Sequence, residues 1–221
     1  MVKNQGLLTE VESKELFKKA GIPVIETRLA RSKKEAISMS KEMGFPVVLK
    51  ISSLDVVHKS DSGGVKLGLM NGTQVGKAYG EIASSIKSEY PEAKIQGVSV
   101  QTMATPGIEV IVGMSKDPQF GPVLMFGLGG ILVEVLKDVS FRIVPVTKRD
   151  AKEMIKEIKG YPVLEGYRGQ QPANISALED IIVKVSQFVD ENPKIKELDL
   201  NPIFAYKDKA LAVDARVILE Q

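Results

Sequence analysis

"GIEVIVGMSKDPQFGPVLMFG" (107–127) sets two apolar, strand-length runs, 107–115 and 122–127, on either side of a short polar turn. More of the same flanks it, with strand candidates at 95–103, 132–136 and 139–146. Strands joined this closely cannot be parallel neighbours, because a parallel crossover needs a dozen or more residues. Further runs at 46–52, 195–201 and 210–217 each stand apart among helical segments. The mixture predicts an α+β protein with mainly antiparallel sheets, not a doubly wound parallel one.

The helix starts are legible. Thr9-x-x-Glu12, Ser32-x-x-Glu35 and Ser176-x-x-Glu179 each read as a capping box, in which a hydroxyl and a carboxylate satisfy the first free N–H groups. Gly21 and Gly44 stand where the first two helices should stop. A further helix is expected from Thr73 to Tyr90, ahead of Pro91, and another from Thr147 to near Gly160. QTMATPG (101–107) breaks the strand pattern and is the expected hinge between two lobes, residues 1–104 and 105–221. GYPVLEGYRGQQPANI (160–175) is the longest irregular stretch, suited to a mobile or partner-contacting loop.

The bulk composition excludes several functions. Thirty basic residues against 28 acidic ones leave none of the excess positive charge that nucleic-acid binding needs. No apolar run is long enough to span a bilayer, and the N-terminus lacks an apolar signal core. Without cysteine there are no disulfides, thiolate metal sites or cysteine nucleophile. A soluble cytoplasmic protein is the expected class.

Several residues stand out for chemistry. LDVVHKSDSGGV (54–65) holds the single histidine, His58, at the lip of a loop with two glycines. Such a loop either is an ordinary turn or lets several backbone N–H groups approach an anion; it is not a P-loop. Lys50 lies inside the apolar run PVVLKIS (46–52), on one face with Val48 and Ser52. An ammonium there needs water, an anion or a carboxylate. KELDLNPIFAYKDKALAVDARVIL (196–219) reads as a hairpin turning at Tyr206–Lys209, which sets Asn201 across from Asp214 with Asp199 on the same face. Oxygen side chains so grouped suit Mg²⁺, although the same register also pairs Asp199 with Arg216 as a plain ion pair. Glu109, Glu134 and Arg142 are charges within apolar runs, placed either in solvent or in a cleft.

GFPVVLKISSLDVVHKSDSGGVKLGL (44–69), VQTMATPGIEVIVGMSKDPQFGPVLMFGLGGILVEVLKDVSFRIVPV (100–146) and ELDLNPIFAYKDKALAVDAR (197–216) together resemble the ATP-grasp β subunits of ADP-forming acetyl-CoA synthetases, in the succinyl-CoA synthetase superfamily. The resemblance implies an ATP-grasp fold, two lobes enclosing a nucleotide cleft. It implies ATP or ADP with Mg²⁺ as the bound groups. Lys50 would contact the α- and β-phosphates, and the loop of Ser60, Asp61, Ser62, Gly63, Gly64 and Val65 would close over them. The backbone of Gln101, Thr102, Met103 and Ala104 would read adenine, and Glu109 the ribose. Asn201 and Asp214 would hold Mg²⁺ beside Asp199, with Arg142 near the γ-phosphate. An acidic residue of related succinyl-CoA synthetases looks to stand where Gln101 stands here, which bears on base preference. His58 matches a loop histidine that relays phosphoryl to ADP from a phosphohistidine on a partner α subunit, which would also carry the CoA and acyl-phosphate sites. An α2β2 heterotetramer is then expected. The alternatives are a stand-alone ATP-grasp carboxylate ligase, which needs no histidine relay, and a catalytically idle nucleotide-binding subunit.

Overall fold

The structure, a computed structural model, describes residues 6–56, 59, 62–130, 137–169 and 171–220. His58, Ser60, Asp61 and Glu134, with the strand expected at 132–136, lie outside the described residues. The chain divides into two compact units: residues 1–12 with 25–105, and residues 13–24 with 106–221. The first helix, α1 (Glu10–Lys19), begins with Thr9 and Glu12 bonded as a capping box, and the division passes through it.

In the first unit a four-stranded sheet runs in the order β1 (Thr27–Ala30), β4 (Ile95–Thr102), β2 (Val47–Ser53), β3 (Val65–Leu69), with every pair antiparallel. Alternation along β2 sends Val47, Leu49 and Ile51 into an apolar core. Ala36 of α2 (Lys33–Met43) and Val75, Ala78, Ile82 and Ile86 of α3 (Gly72–Glu89) complete it. Ser32 and Asn71 cap these helices by accepting the N–H groups of Glu35 and Gln74. The Ser32 box is only half closed, because the Glu35 carboxylate accepts from Arg31 N–H instead.

The second unit carries a six-stranded antiparallel sheet. Its order is β10 (Arg216–Leu219), β8 (Ile195–Ala205), β5 (Ile108–Asp117), β6 (Gly121–Leu128), β7 (Val139–Ile143), with β9 (Ala210–Ala212) also beside β8. Val110, Val112, Leu124, Phe126, Leu198 and Leu200 point to the covered face and are buried. Three helices follow β7: α4 (Lys148–Glu157), α5 (Tyr161–Leu164) and α6 (Ile175–Glu191). Ser140 donates to Met154 O of α4, which fixes that helix on the face of Leu124 and Phe126. On the opposite face of the edge strand β7, Phe141 and Ile143 are 54% and 51% exposed.

The structure differs from the sequence pattern in several places, among them the stretch 160–175, expected to be irregular, which holds the short helix α5. The short β1 and the glycine-containing β3 were not apparent in the pattern. The expected strand 139–146 ends at Ile143. The run 210–217 is two strands separated at 213–215, since Pro202 opposite has no N–H to donate. Asn174, not Ser176, caps α6 by accepting from Ala177 N–H, and Ser176 falls inside the first turn. Asn is as strong a cap as Ser, so cap preference alone does not choose between the two positions. Among the described residues no helix is long and apolar enough to cross a membrane.

Candidate functional site

In the first unit Lys50 sits on the sheet face opposite the core, and that face is not solvated. Lys50 is 8% exposed, and its register neighbours Ser99 and Gln101 (the latter across from Val48) are buried as well. Its ammonium donates to Glu10 Oε1 at 2.8 Å, and Lys59 Nζ lies 3.4 Å from Glu10 Oε2. One carboxylate therefore joins the strand lysine to the lysine that follows His58. Val56, on the other side of His58, is buried in the apolar core.

The glycines after His58 have a steric cause. Gly63 has φ 69°, and a Cβ on Gly64 would lie 2.7 Å from Ile51 Cγ2 and 2.8 Å from the Lys59 carbonyl oxygen. Gly64 N–H donates to Lys59 O and its own carbonyl accepts from Ile51 N–H, each at 2.7 Å. Ser62 Oγ also donates to Lys59 O. The amide of Gly64 thus closes the turn, and Val65 begins β3 opposite Lys50. At 101–104, the N–H groups of Thr102 and Met103 donate to Glu26 O and Pro46 O, and the Gln101 amide oxygen accepts from Thr27 Oγ1 at 3.5 Å.

In the second unit the hairpin register is as read from the sequence. Ala205 pairs with Ala210, Ile203 with Ala212 and Asp199 with Arg216, all in one register that sets Asn201 opposite Asp214. Burial pushes the Asp199 carboxyl above its ordinary value; a hydrogen bond from Asn201 opposes the rise, the charge of Asp214 adds to it and Arg216 opposes it. Asp199, Asn201 and Arg216 line a hollow of about 350 Å³ with Gly113, Met125 and Phe141. Arg216, Asp199, Gly113, Met125 and Phe141 form a single row across five strands. Among the described residues no three His, Cys, Asp or Glu side chains are grouped to hold a metal ion. Two carboxylates and a carboxamide nevertheless fit Mg²⁺, which takes few protein oxygens and keeps water or phosphate as its other ligands. A divalent cation would also offset the mutual repulsion that Asp199 and Asp214 now bear.

A folded carboxyl with a raised pKa holds its proton more tightly than the unfolded chain does. Metal-free stability therefore falls as pH rises from the ordinary aspartate range through the raised value. Asp199→Asn is expected to raise the metal-free Tm at pH 7 by a few degrees while weakening Mg²⁺-dependent ADP binding. Thermal scans at several pH values check this, and a lower Tm would contradict it.

Glu109, second residue of β5, is exposed at the rim of a larger hollow of about 620 Å³ lined by Gly107, Leu128, Gly129, Val163, Tyr206 and Lys207. Gly129 N–H donates to Glu109 O at 2.7 Å, and a Cβ on Gly129 would lie 3.0 Å from Glu109 Cβ. Arg142 lies elsewhere, on the α4 side of β7, with its guanidinium forked onto the Glu157 carboxylate. That pairing raises the Arg142 pKa and lowers that of Glu157. Sequence reasoning missed Glu10 and Lys59. The capping box that places Glu10 in the first turn of α1 was the only signal available for it.

Residues 1–219 match the ATP-grasp domain family. The chain is 56% identical over 212 residues to the β subunit of ADP-forming acetate–CoA ligase I from Pyrococcus furiosus, covering 96% of this chain and 91% of that one. It is 45% identical over 219 residues to ADP-forming acetate–CoA ligase I of Archaeoglobus fulgidus, covering 99% of this chain but 32% of that longer protein. Among solved structures it resembles Candidatus Korarchaeum cryptofilum dinucleotide-forming acetyl-coenzyme A synthetase 1 bound to coenzyme A and Ca-AMPCP, with TM-score 0.95 and 50% identity over 97% of this chain and 94% of that one. A structure of the same enzyme with coenzyme A and Mg-AMPPCP, TM-score 0.87 and 47% identity over 97% and 93% of the chains, has its phosphohistidine segment pointing towards the nucleotide-binding site.

Proposed function

The chain belongs to the ATP-grasp family, in the group of ADP-forming acetate–CoA ligase β subunits, and on that premise we propose that it carries out the nucleotide half of acetyl-CoA + ADP + phosphate ⇌ acetate + ATP + CoA. One observation carries the reading of the site. Glu109 and Gly113 lie on the same open face of β5, four residues or about 13 Å apart. Asp199 is the register partner of Gly113. One face thus presents a carboxylate suited to ribose hydroxyls at one end and an oxygen set suited to Mg²⁺ at the other. Between them lies Ile111, with the bare backbone of its register partner Gly127 beside it, so the path of a nucleoside diphosphate runs over one apolar side chain and a glycine strip.

In the direction of ATP formation, a histidine of the partner subunit delivers the phosphoryl group to His58. The P–N bond at His58 then breaks as a β-phosphate oxygen of ADP bonds to phosphorus, and the imidazole leaves neutral. Lys50 holds the α- and β-phosphates and offsets the charge that repels the incoming group. Mg²⁺, when held by Asn201 and Asp214 with Asp199 beside them, neutralises charge on the diphosphate. The loop from Ser60 to Val65 covers the phosphates. Base recognition falls to those backbone groups of 101–104 that the sheet does not already use, with adenine the expected base. Arg142 has no part in this reading, because it lies with Leu124 on the covered face of the sheet, opposite to the face of Phe141 and Asp199.

The other half of the reaction requires a partner. The P. furiosus relative is a β subunit, and in A. fulgidus the matching stretch is a third of a longer ligase. An α subunit bearing the CoA and acyl-phosphate sites, assembled as α2β2 in the cytoplasm, completes the enzyme. The test is to incubate the complex with ATP labelled at the γ-phosphate and Mg²⁺. Acid-labile, base-stable label at residue 58 is expected; label on the partner alone would overturn the relay.

A further inference from the structure

Lys14 is a buried cation of α1 that packing alone does not explain. It lies on the buried stripe of the helix with Ser13 and Phe17 and is 3% exposed, a place that leucine or methionine would fill without charge. A buried ammonium is costly unless its surroundings repay it. Its Nζ donates to the carbonyl oxygen of Val213 at 2.6 Å, across 199 residues of sequence. Val213 stands in the break between β9 and β10, where Pro202 opposite has no N–H to offer its carbonyl. Its N–H donates to Pro202 O at 2.9 Å. The carbonyl that Lys14 grips belongs to the same peptide plane as the nitrogen of Asp214. One Asp214 oxygen, Oδ1, already accepts from Ala215 N–H at 2.8 Å.

We infer that Lys14 is a positioning residue for the metal-binding loop: by gripping the Val213 carbonyl it fixes the peptide that aims the Asp214 carboxylate. Residues behind metal ligands orient them, and their loss typically weakens metal binding ten- to a hundredfold. The inference rests on the reading of Asn201 and Asp214 as the metal holders, so the two are tested side by side.

Mn²⁺ is titrated into the full chain with ADP, for wild type, Lys14→Met and Asp214→Asn. The expected result for Lys14→Met is metal affinity lowered about tenfold, with metal-free ADP affinity and Tm close to wild type. A purely structural role would move Tm and both affinities together, and that outcome overturns the inference, as does unchanged metal affinity. If Asp214→Asn keeps full metal affinity, the metal-site reading itself fails; if only Asp214→Asn loses it, the Lys14 inference alone fails. Should Lys14→Met not fold, the wild-type protein decides. The ¹⁵N-lysine signal of the Lys14 ammonium is expected to shift when Mg²⁺ is added to the ADP complex, and an unmoved signal overturns the inference.

Discussion

His58→Ala is expected to lower acetyl-CoA-dependent ATP synthesis by the assembled enzyme by about three orders of magnitude or more, with MgADP affinity unchanged. Removing the nucleophile of a covalent relay leaves no second route for the phosphoryl group, which is why such losses are large. Nucleotide binding is spared because none of the contacts assigned to it, from Lys50, the 60–65 loop, the 101–104 backbone, Glu109, Asn201 and Asp214, uses the imidazole. Stability should also be spared. The residues that anchor the segment on either side of His58 keep their contacts: Val56 in the apolar core and Lys59 at Glu10. The rival readings give different outcomes. A stand-alone carboxylate ligase would keep its activity in this variant, and an idle subunit would support no acetyl-CoA-dependent ATP synthesis even before mutation, with MgADP binding also lost if it is only a scaffold. Stopped assays of ATP formation beside calorimetric titration with MgADP separate all three.

Local chemistry was legible in the sequence where it decides structure locally. Thr9 and Glu12 close their box within one turn, and the hairpin register follows from the position of its turn, so Asp199–Arg216 and Asn201 opposite Asp214 come from counting alone. The misses have physical causes. Asn174 outcompetes Ser176 because two good caps stand two residues apart and only tertiary packing chooses between them. β1 has four residues, too few for alternation to register, and β3 contains Gly68 at φ 66°. Least legible were contacts that join distant segments. Nothing near Lys50 indicates that its counter-ion lies 40 residues away in α1, and nothing near Lys14 points to Val213. The glycines of the His58 loop were visible, but their cause was not. Gly64 is required by the approach of Ile51 and of the Lys59 carbonyl.

The Lys50–Glu10 pair carries a second large effect. With side chains 10% and 5% exposed, the pair is largely removed from water, and taking away either partner leaves a charge with poor solvation. Lys50→Met is expected to destabilise the chain by about 3 kcal/mol, the lower end of the 3–5 kcal/mol usual for a broken buried pair, because Lys59 still reaches the other Glu10 oxygen. The double variant Lys50→Met with Glu10→Gln should lose clearly less than the sum of the single losses, which denaturant unfolding of all four proteins will measure. ADP affinity then separates the structural role of Lys50 from its role at phosphate. Loss of a charge-assisted bond to phosphate weakens ADP by about ten- to a hundredfold in Lys50→Met. In Glu10→Gln the ammonium survives without a competing carboxylate, so ADP should bind at least as tightly as in wild type. If both variants lose ADP affinity in proportion to their loss of stability, Lys50 serves the fold alone, and the phosphate contact must come from another cation.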